Sequence, residues 1–140
     1  TLSLPFAGEE LTNNISSELK ISWAEAEKMK KGYGEKDKNT PLEKIILSFF
    51  DNLSQTLKTH LSFYEEGVRK KIEEIILCGG GANLFNLVPF LEKKLKIKVK
   101  KGNPWLNIIK KDEKPPLPED ISLVYTTAIG LALRGLKEKI

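Results

Sequence analysis

The stretch Ile75-Ile76-Leu77-Cys78-Gly79-Gly80-Gly81-Ala82-Asn83-Leu84 sets three glycines directly behind four apolar residues, and an apolar pattern resumes after them. A short, unalternating apolar run that ends in a turn reads as a buried strand of a parallel or mixed sheet, here Ile75–Cys78. Glycine costs folding entropy, so three in succession belong where the backbone turns sharply or approaches a ligand closely. Behind the turn, Leu87, Phe90, Leu91 and Leu95 recur at helical spacing with basic residues in the last turns, and Ile97-Lys98-Val99-Lys100 alternates as an outer strand does. Strand, glycine turn, helix and strand make a βαβ unit, with the turn at the carboxyl edge of the sheet where ligands of α/β proteins gather. Backbone amides and a positive helix end there suit a nucleotide or another anion. The spacing fits neither a Walker loop nor a dinucleotide fingerprint, so a tight turn and a ligand site both remain open.

Working outward from this unit, the N-terminal side is helical. Thr1–Leu4 reads as the end of a strand, and Pro5-Phe6-Ala7-Gly8 turns the chain into a helix over Glu9–Leu19. Ser22-Trp23-Ala24-Glu25 is a capping box that opens a second helix running to about Lys31, which Gly32-Tyr33-Gly34 ends. Glu35–Asn39 reads as a loop. Thr40-Pro41-Leu42-Glu43 repeats the capping logic with proline at the first helical position. The long helix that follows continues to about Tyr64 and is expected to bury Ile46, Phe49, Phe50, Leu53 and Leu57. On the other side of the unit, Gly102–Glu119 is proline-interrupted and irregular. Val124–Leu136 reads as one closing helix, in which Ala128, Gly130 and Ala132 allow close packing. Trp23 and Trp105 are expected to anchor loops.

Composition narrows the function classes. At 140 residues, 40% hydrophobic and 30% charged, the chain has the size and balance of one soluble domain. No apolar stretch approaches a membrane span, which gives the sequence a cytosolic character without direct membrane insertion. The single Cys78 and single His60 cannot build a metal cluster, and Cys78 at a strand end reads as a small packing residue. The net charge of +4 comes from dispersed lysines with Glu25, Glu27, Glu65 and Glu66 among them, the pattern of a solvated surface and not of a nucleic-acid site.

The segment IILCGGGANLFNLVPFLEKKLKIKV resembles the adenosine-binding segment of the actin-like ATPases of the PilM and FtsA type. Leu4-Pro5-Phe6-Ala7-Gly8-Glu9-Glu10-Leu11-Thr12 is similar to the strand-turn-helix after their second phosphate loop, and Ala24–Lys30 to their AExxK helix. Asn103-Pro104-Trp105 and Ala128–Leu136 look most like the PilM group of type IV pilus assembly proteins. The resemblance covers nearly the whole chain. It implies part of the second domain of an actin-like (ribonuclease H-like) ATPase: an α/β fold with a mixed sheet, flanking helices and a shortened helical inserted subdomain. Residues 1–21 and 68–140 would form the sheet-containing part and residues 22–67 the inserted helices.

The same resemblance implies a nucleotide site. Gly79, Gly80 and Gly81 would lie against adenine and ribose with Ala82 and Asn83 at the border, while Glu27 and Lys30 would reach the ribose hydroxyls and the base. The residues alone leave Glu27 and Lys30 equally readable as an ordinary surface pair. Neither of the family's glycine-acidic phosphate hairpins is present. The implied ligand is therefore ATP or ADP, weakly held, with magnesium only in a longer parent and no catalysis by this chain. In PilM-like proteins the partner is the cytoplasmic tail of the membrane protein PilN, which places them at the inner face of the cytoplasmic membrane. A piece cut from such a protein is also expected to self-associate through the exposed edge near Thr1–Leu4. Two alternatives stand beside this reading: an interaction module whose glycine turn is purely structural, and an FtsA-like cell-division fragment.

Overall fold

A computed structural model describes residues 8–106, 108–110 and 113–137. Among the described residues six α-helices and two strands follow one another in the order α1 (Gly8–Leu19), α2 (Trp23–Lys31), α3 (Pro41–Val68), β1 (Glu74–Leu77), α4 (Leu87–Leu95), β2 (Lys98–Lys101), α5 (Glu119–Val124) and α6 (Thr126–Lys137). The helix starts follow local chemistry. At α2 the capping box is complete: Glu25 N–H donates to Ser22 Oγ at 3.3 Å, and Ser22 N–H donates to the Glu25 carboxylate at 3.0 Å. The Ser22 hydroxyl, which donates to the same carboxylate at 2.6 Å, and after it the Ser22 N–H hold the Glu25 carboxyl below its usual range. At α3, Thr40 Oγ1 accepts from Glu43 N–H at 3.2 Å with Pro41 in the first turn, but the Glu43 carboxylate accepts from Asn39 N–H in place of the cap residue's own. The segment read as a loop at Glu35–Asn39 contains one 3₁₀ turn over Glu35–Asp37.

The helix α3 organises the core. Its residues Leu42, Ile45, Ile46, Phe49 and Phe50 are buried between α1, which supplies Leu11 and Ile15, and α4, which supplies Leu87, Leu91 and Leu95. Phe50 meets Phe90 at 5.4 Å between ring centroids, and Val99 of β2 extends the same cluster. Beyond Phe50 the enclosure fades. Leu53 and Leu57, expected to be buried, are only partly so, and the helix runs past Tyr64 to Val68 with Phe63 78% exposed. The apolar spacing continues along α3, but the elements that could cover it do not extend as far.

β1 and β2 pair in parallel with Ile75 opposite Val99 and Leu77 opposite Lys101, and α4 forms the crossover. This is the βαβ unit read from the sequence, with β1 starting one residue earlier. The mixed sheet is not observed: among the described residues the sheet is two-stranded and parallel, and the strand expected at Thr1–Leu4 lies outside them, as does the edge invoked for self-association. Nor is β1 buried on both faces. Ile75 and Leu77 turn toward the core, while Ile76 is 55% exposed because successive strand residues point to opposite faces and only one face is covered. Cys78 is likewise exposed and not buried, although its Sγ packs on Gly102, where a Cβ would lie 2.6 Å from it.

The closing helix expected over Val124–Leu136 is α6, Thr126–Lys137, and a further short helix that the sequence did not announce, α5, precedes it. Tyr125 separates α5 from α6, and Ala128, Gly130 and Ala132 of α6 are all exposed, so among the described residues the close packing that their size allows is not made. Trp105 does anchor its loop: its indole N–H donates to Ser122 Oγ at 2.7 Å and fastens the irregular segment to α5.

Candidate functional site: a cavity between the glycine turn and α2

The backbone at Gly79 has φ +86° and ψ 171°, a region that side-chain-bearing residues rarely occupy. This one residue takes the chain off the end of β1, and its N–H donates to Leu123 O at 3.1 Å, which ties the turn to α5. A 3₁₀ turn over Gly80–Asn83 then leads into α4. Gly80 and Gly81 have a different status. Neither has a positive φ, a Cβ at Gly81 would meet nothing within 4 Å, and one at Gly80 would touch only Val124 Cγ2 at 3.7 Å. Among the described residues neither backbone conformation nor packing requires glycine at these two positions.

In front of the turn lies a broad, open cavity of about 1400 Å³. Gly80, Gly81 and Asn83 form one wall, and Glu27 and Lys30 of α2 form another. Five of the seven residues singled out from the sequence thus face one space. Gly79 is not part of the lining, and Ala82 is buried at 3% exposure. Asn83 braces its wall: its amide Nδ2 donates to Asp120 O at 2.7 Å, and its Oδ1 accepts from Lys101 Nζ at 3.2 Å. The apolar side of the cavity comes from Tyr33 and Phe85, whose rings meet edge to face at 5.8 Å, and from Ile121, Val124 and Tyr125.

Glu27 and Lys30 belong to a compact polar node. Lys30 Nζ lies 2.6 Å from Glu27 Oε2, 2.7 Å from Thr12 Oγ1 and 2.8 Å from Gly8 O, so its three protons have three acceptors. Thr12 Oγ1, fully buried, sits 2.6 Å from the same Glu27 oxygen, and Lys31 approaches Glu27 Oε1 at 3.2 Å. The Lys30 contact first, and the Thr12 hydroxyl second, pull the Glu27 carboxyl down to about 2. Glu27 therefore remains an acceptor-only carboxylate at any ordinary pH.

A pH consequence follows. Because the carboxyl titrates lower in the folded chain than in the unfolded one, its stabilisation is fully present above about pH 4.5 and is lost as pH falls toward about 2. The side chain is 20% exposed, so after solvent screening the expected loss is about 1 to 2 kcal/mol. Urea midpoints measured between pH 6 and pH 3 should converge for the wild-type chain and Glu27→Gln. Parallel curves would show that the node contributes no pH-dependent stability.

Sequence reasoning missed Thr12, Tyr33 and Lys101. Thr12 sits mid-helix with no local partner in its pattern, and Tyr33 lies between two glycines that announce only a helix stop. The packing of α1 on α2 brings Thr12 to the node behind Glu27 and Lys30, while Tyr33 and Lys101, at the ends of α2 and β2, reach the cavity itself.

The family described as type IV pilus assembly protein PilM matches residues 3–136. A solved structure described as a PilM-PilN type IV pilus biogenesis complex superposes with a TM-score of 0.74 at 25% identity, over 94% of this chain and 38% of that one. This chain thus spans well under half the length of that protein. No curated protein matches the sequence. With the family pattern running through α1, the glycine turn, the βαβ unit and α6, and with that similarity in fold, the chain belongs to the type IV pilus assembly protein PilM family.

Proposed function

We propose that this chain is the adenosine-side portion of an actin-fold nucleotide-binding scaffold that serves type IV pilus or related secretion-system assembly. In this reading residues 22–67 are the inserted helices and the remainder is the sheet-containing part of the second domain. The observation that carries it is the meeting of Glu27 and Lys30 with Gly80 and Gly81, some fifty residues apart in sequence, across one cavity in which glycine is required neither by φ nor by packing. A nucleotide lying on the turn supplies a reason for both glycines, since a Cβ there would occupy its place.

The roles divide by chemistry. Glu27, ionised and with Oε1 engaged among the described residues only by the exposed Lys31, accepts ribose hydroxyls. Lys30, its donors already engaged, holds that carboxylate in place and does not itself reach the base. Tyr33 and Phe85 offer the apolar wall for the base. ATP or ADP, with magnesium brought by phosphate hairpins in a longer protein, would draw two domains together and thereby shape a partner surface. A PilN-like membrane-protein tail is the partner this reading assigns, holding the protein at the inner face of the cytoplasmic membrane. No helix among the described residues is long and apolar enough to cross a membrane. The chain acts as a scaffold and not as an enzyme.

Titration of the full chain with ADP, followed by amide NMR at residues 79–83, is expected to shift those signals with a dissociation constant near or above ~1 mM, the scale of a site held mainly by base and ribose contacts. Unmoved signals at 10 mM would remove the nucleotide and favour a purely structural turn in an interaction module.

A further inference from the structure

Lys101 closes β2 two residues after the buried Val99 and therefore on the same strand face, the one that carries α4 and the glycine turn. Lys98 and Lys100 fall on the opposite face, where both pair with Glu74 at 3.2 and 2.6 Å. The register thus separates one lysine of this basic run from the others and places it at the carboxyl edge of the sheet, in the lining of the large cavity. Its Nζ donates to Asn83 Oδ1 at 3.2 Å, and Asn83 is itself held by Asp120 O. The ammonium is positioned beside the turn by a neutral amide.

The other cations of the cavity are differently placed. Lys30 has all three donors engaged, and Lys31 stands beside Glu27. Glu9, Glu27 and Asp120 border the same space, yet among the described residues none of their carboxylates lies within ion-pair distance of Lys101. The cavity consequently has two poles, a carboxylate on the α2 wall and, at the end of β2, an ammonium that no carboxylate of the described residues pairs. An ammonium on a flexible stem, with donors to spare, is a point-charge binder of phosphate.

We propose that Lys101, steered by Asn83, contacts the phosphate nearest the sugar and makes this cavity prefer nucleotides over nucleosides. The proposal rests on the nucleotide reading above and adds a polarity to it: sugar hydroxyls toward Glu27, phosphate toward Lys101. The phosphate discrimination then resides partly in this chain and not wholly in hairpins elsewhere.

The test is NMR titration of the full chain with adenosine, AMP and ADP, for wild type, Lys101→Gln and Lys101→Arg. Wild type is expected to bind AMP and ADP about threefold to fivefold more tightly than adenosine, the scale of one exposed charge contact. Lys101→Gln should erase that preference while leaving adenosine affinity within about twofold, and Lys101→Arg should retain it. An AMP preference that survives in Lys101→Gln, or equal wild-type affinities for adenosine and AMP, overturns the role of Lys101 while the adenosine site stands. Absence of binding by all three ligands overturns the site itself, and the role of Lys101 with it.

Discussion

Replacing Phe50 with alanine is expected to cost about 3 to 5 kcal/mol, the range for deleting an enclosed aromatic ring. Phe50 is completely buried at the point where α3 crosses toward α4, and its ring packs on Phe90 at 5.4 Å. The cavity left behind lies at the centre of the cluster that joins α1, α3, α4 and β2, so little can collapse into it. A loss of that size is a large part of the stability of an ordinary domain, and much of the population should unfold in modest urea. Leu53→Ala, one turn further on, serves as the contrast. Leu53 is only partly buried, and its truncation should cost about 1 to 2 kcal/mol. Equal losses for the two variants, by urea denaturation monitored by circular dichroism, would refute the picture of a core that thins along α3.

The second large effect is at the glycine turn. Gly79→Ala places a Cβ on a backbone held at φ +86°, and it should destabilise the chain by about 1 to 3 kcal/mol or force the turn to rearrange. The rearrangement would also strain the Gly79 N–H to Leu123 O hydrogen bond that ties the turn to α5. Gly81→Ala, two residues later, meets no atom within 4 Å and no adverse φ, so its stability change should stay within about 0.5 kcal/mol. Under the nucleotide reading the two variants separate function from folding: Gly81→Ala keeps the fold and weakens ADP binding. A stable Gly81→Ala variant with undiminished ADP-induced shifts would show that the nucleotide does not lie on this turn.

Much of the local structure was legible in the sequence because it depends on contacts a few residues apart. Ser22 with Glu25, and Thr40 with Pro41, mark helix starts by hydrogen bonds and proline geometry that need no tertiary partner. The three glycines between an apolar run and a helical pattern announced a strand, a turn and a βαβ crossover, and the structure has all three. The residues proposed for the site could be named only through the family resemblance, since by themselves Glu27 and Lys30 read equally as a surface pair and the glycines as a tight turn.

Burial was decided elsewhere. An apolar residue is enclosed only if another element reaches it, which is why Phe50 is fully buried while Leu53 is partly open, and why Ile76 faces outward from a strand whose sequence suits burial on both sides. The same holds for the cavity. Neither Glu27 nor Gly81 indicates that the other is near. The packing of α2 on α1, with Thr12 and Gly8 O fastening Lys30, and the docking of α5 on the turn through Asn83 and Leu123 bring them to face one space. Sequence determines what each residue can do over the reach of a few bonds, whereas only the assembled helices set which of those groups share one low-lying pocket and which are left to water.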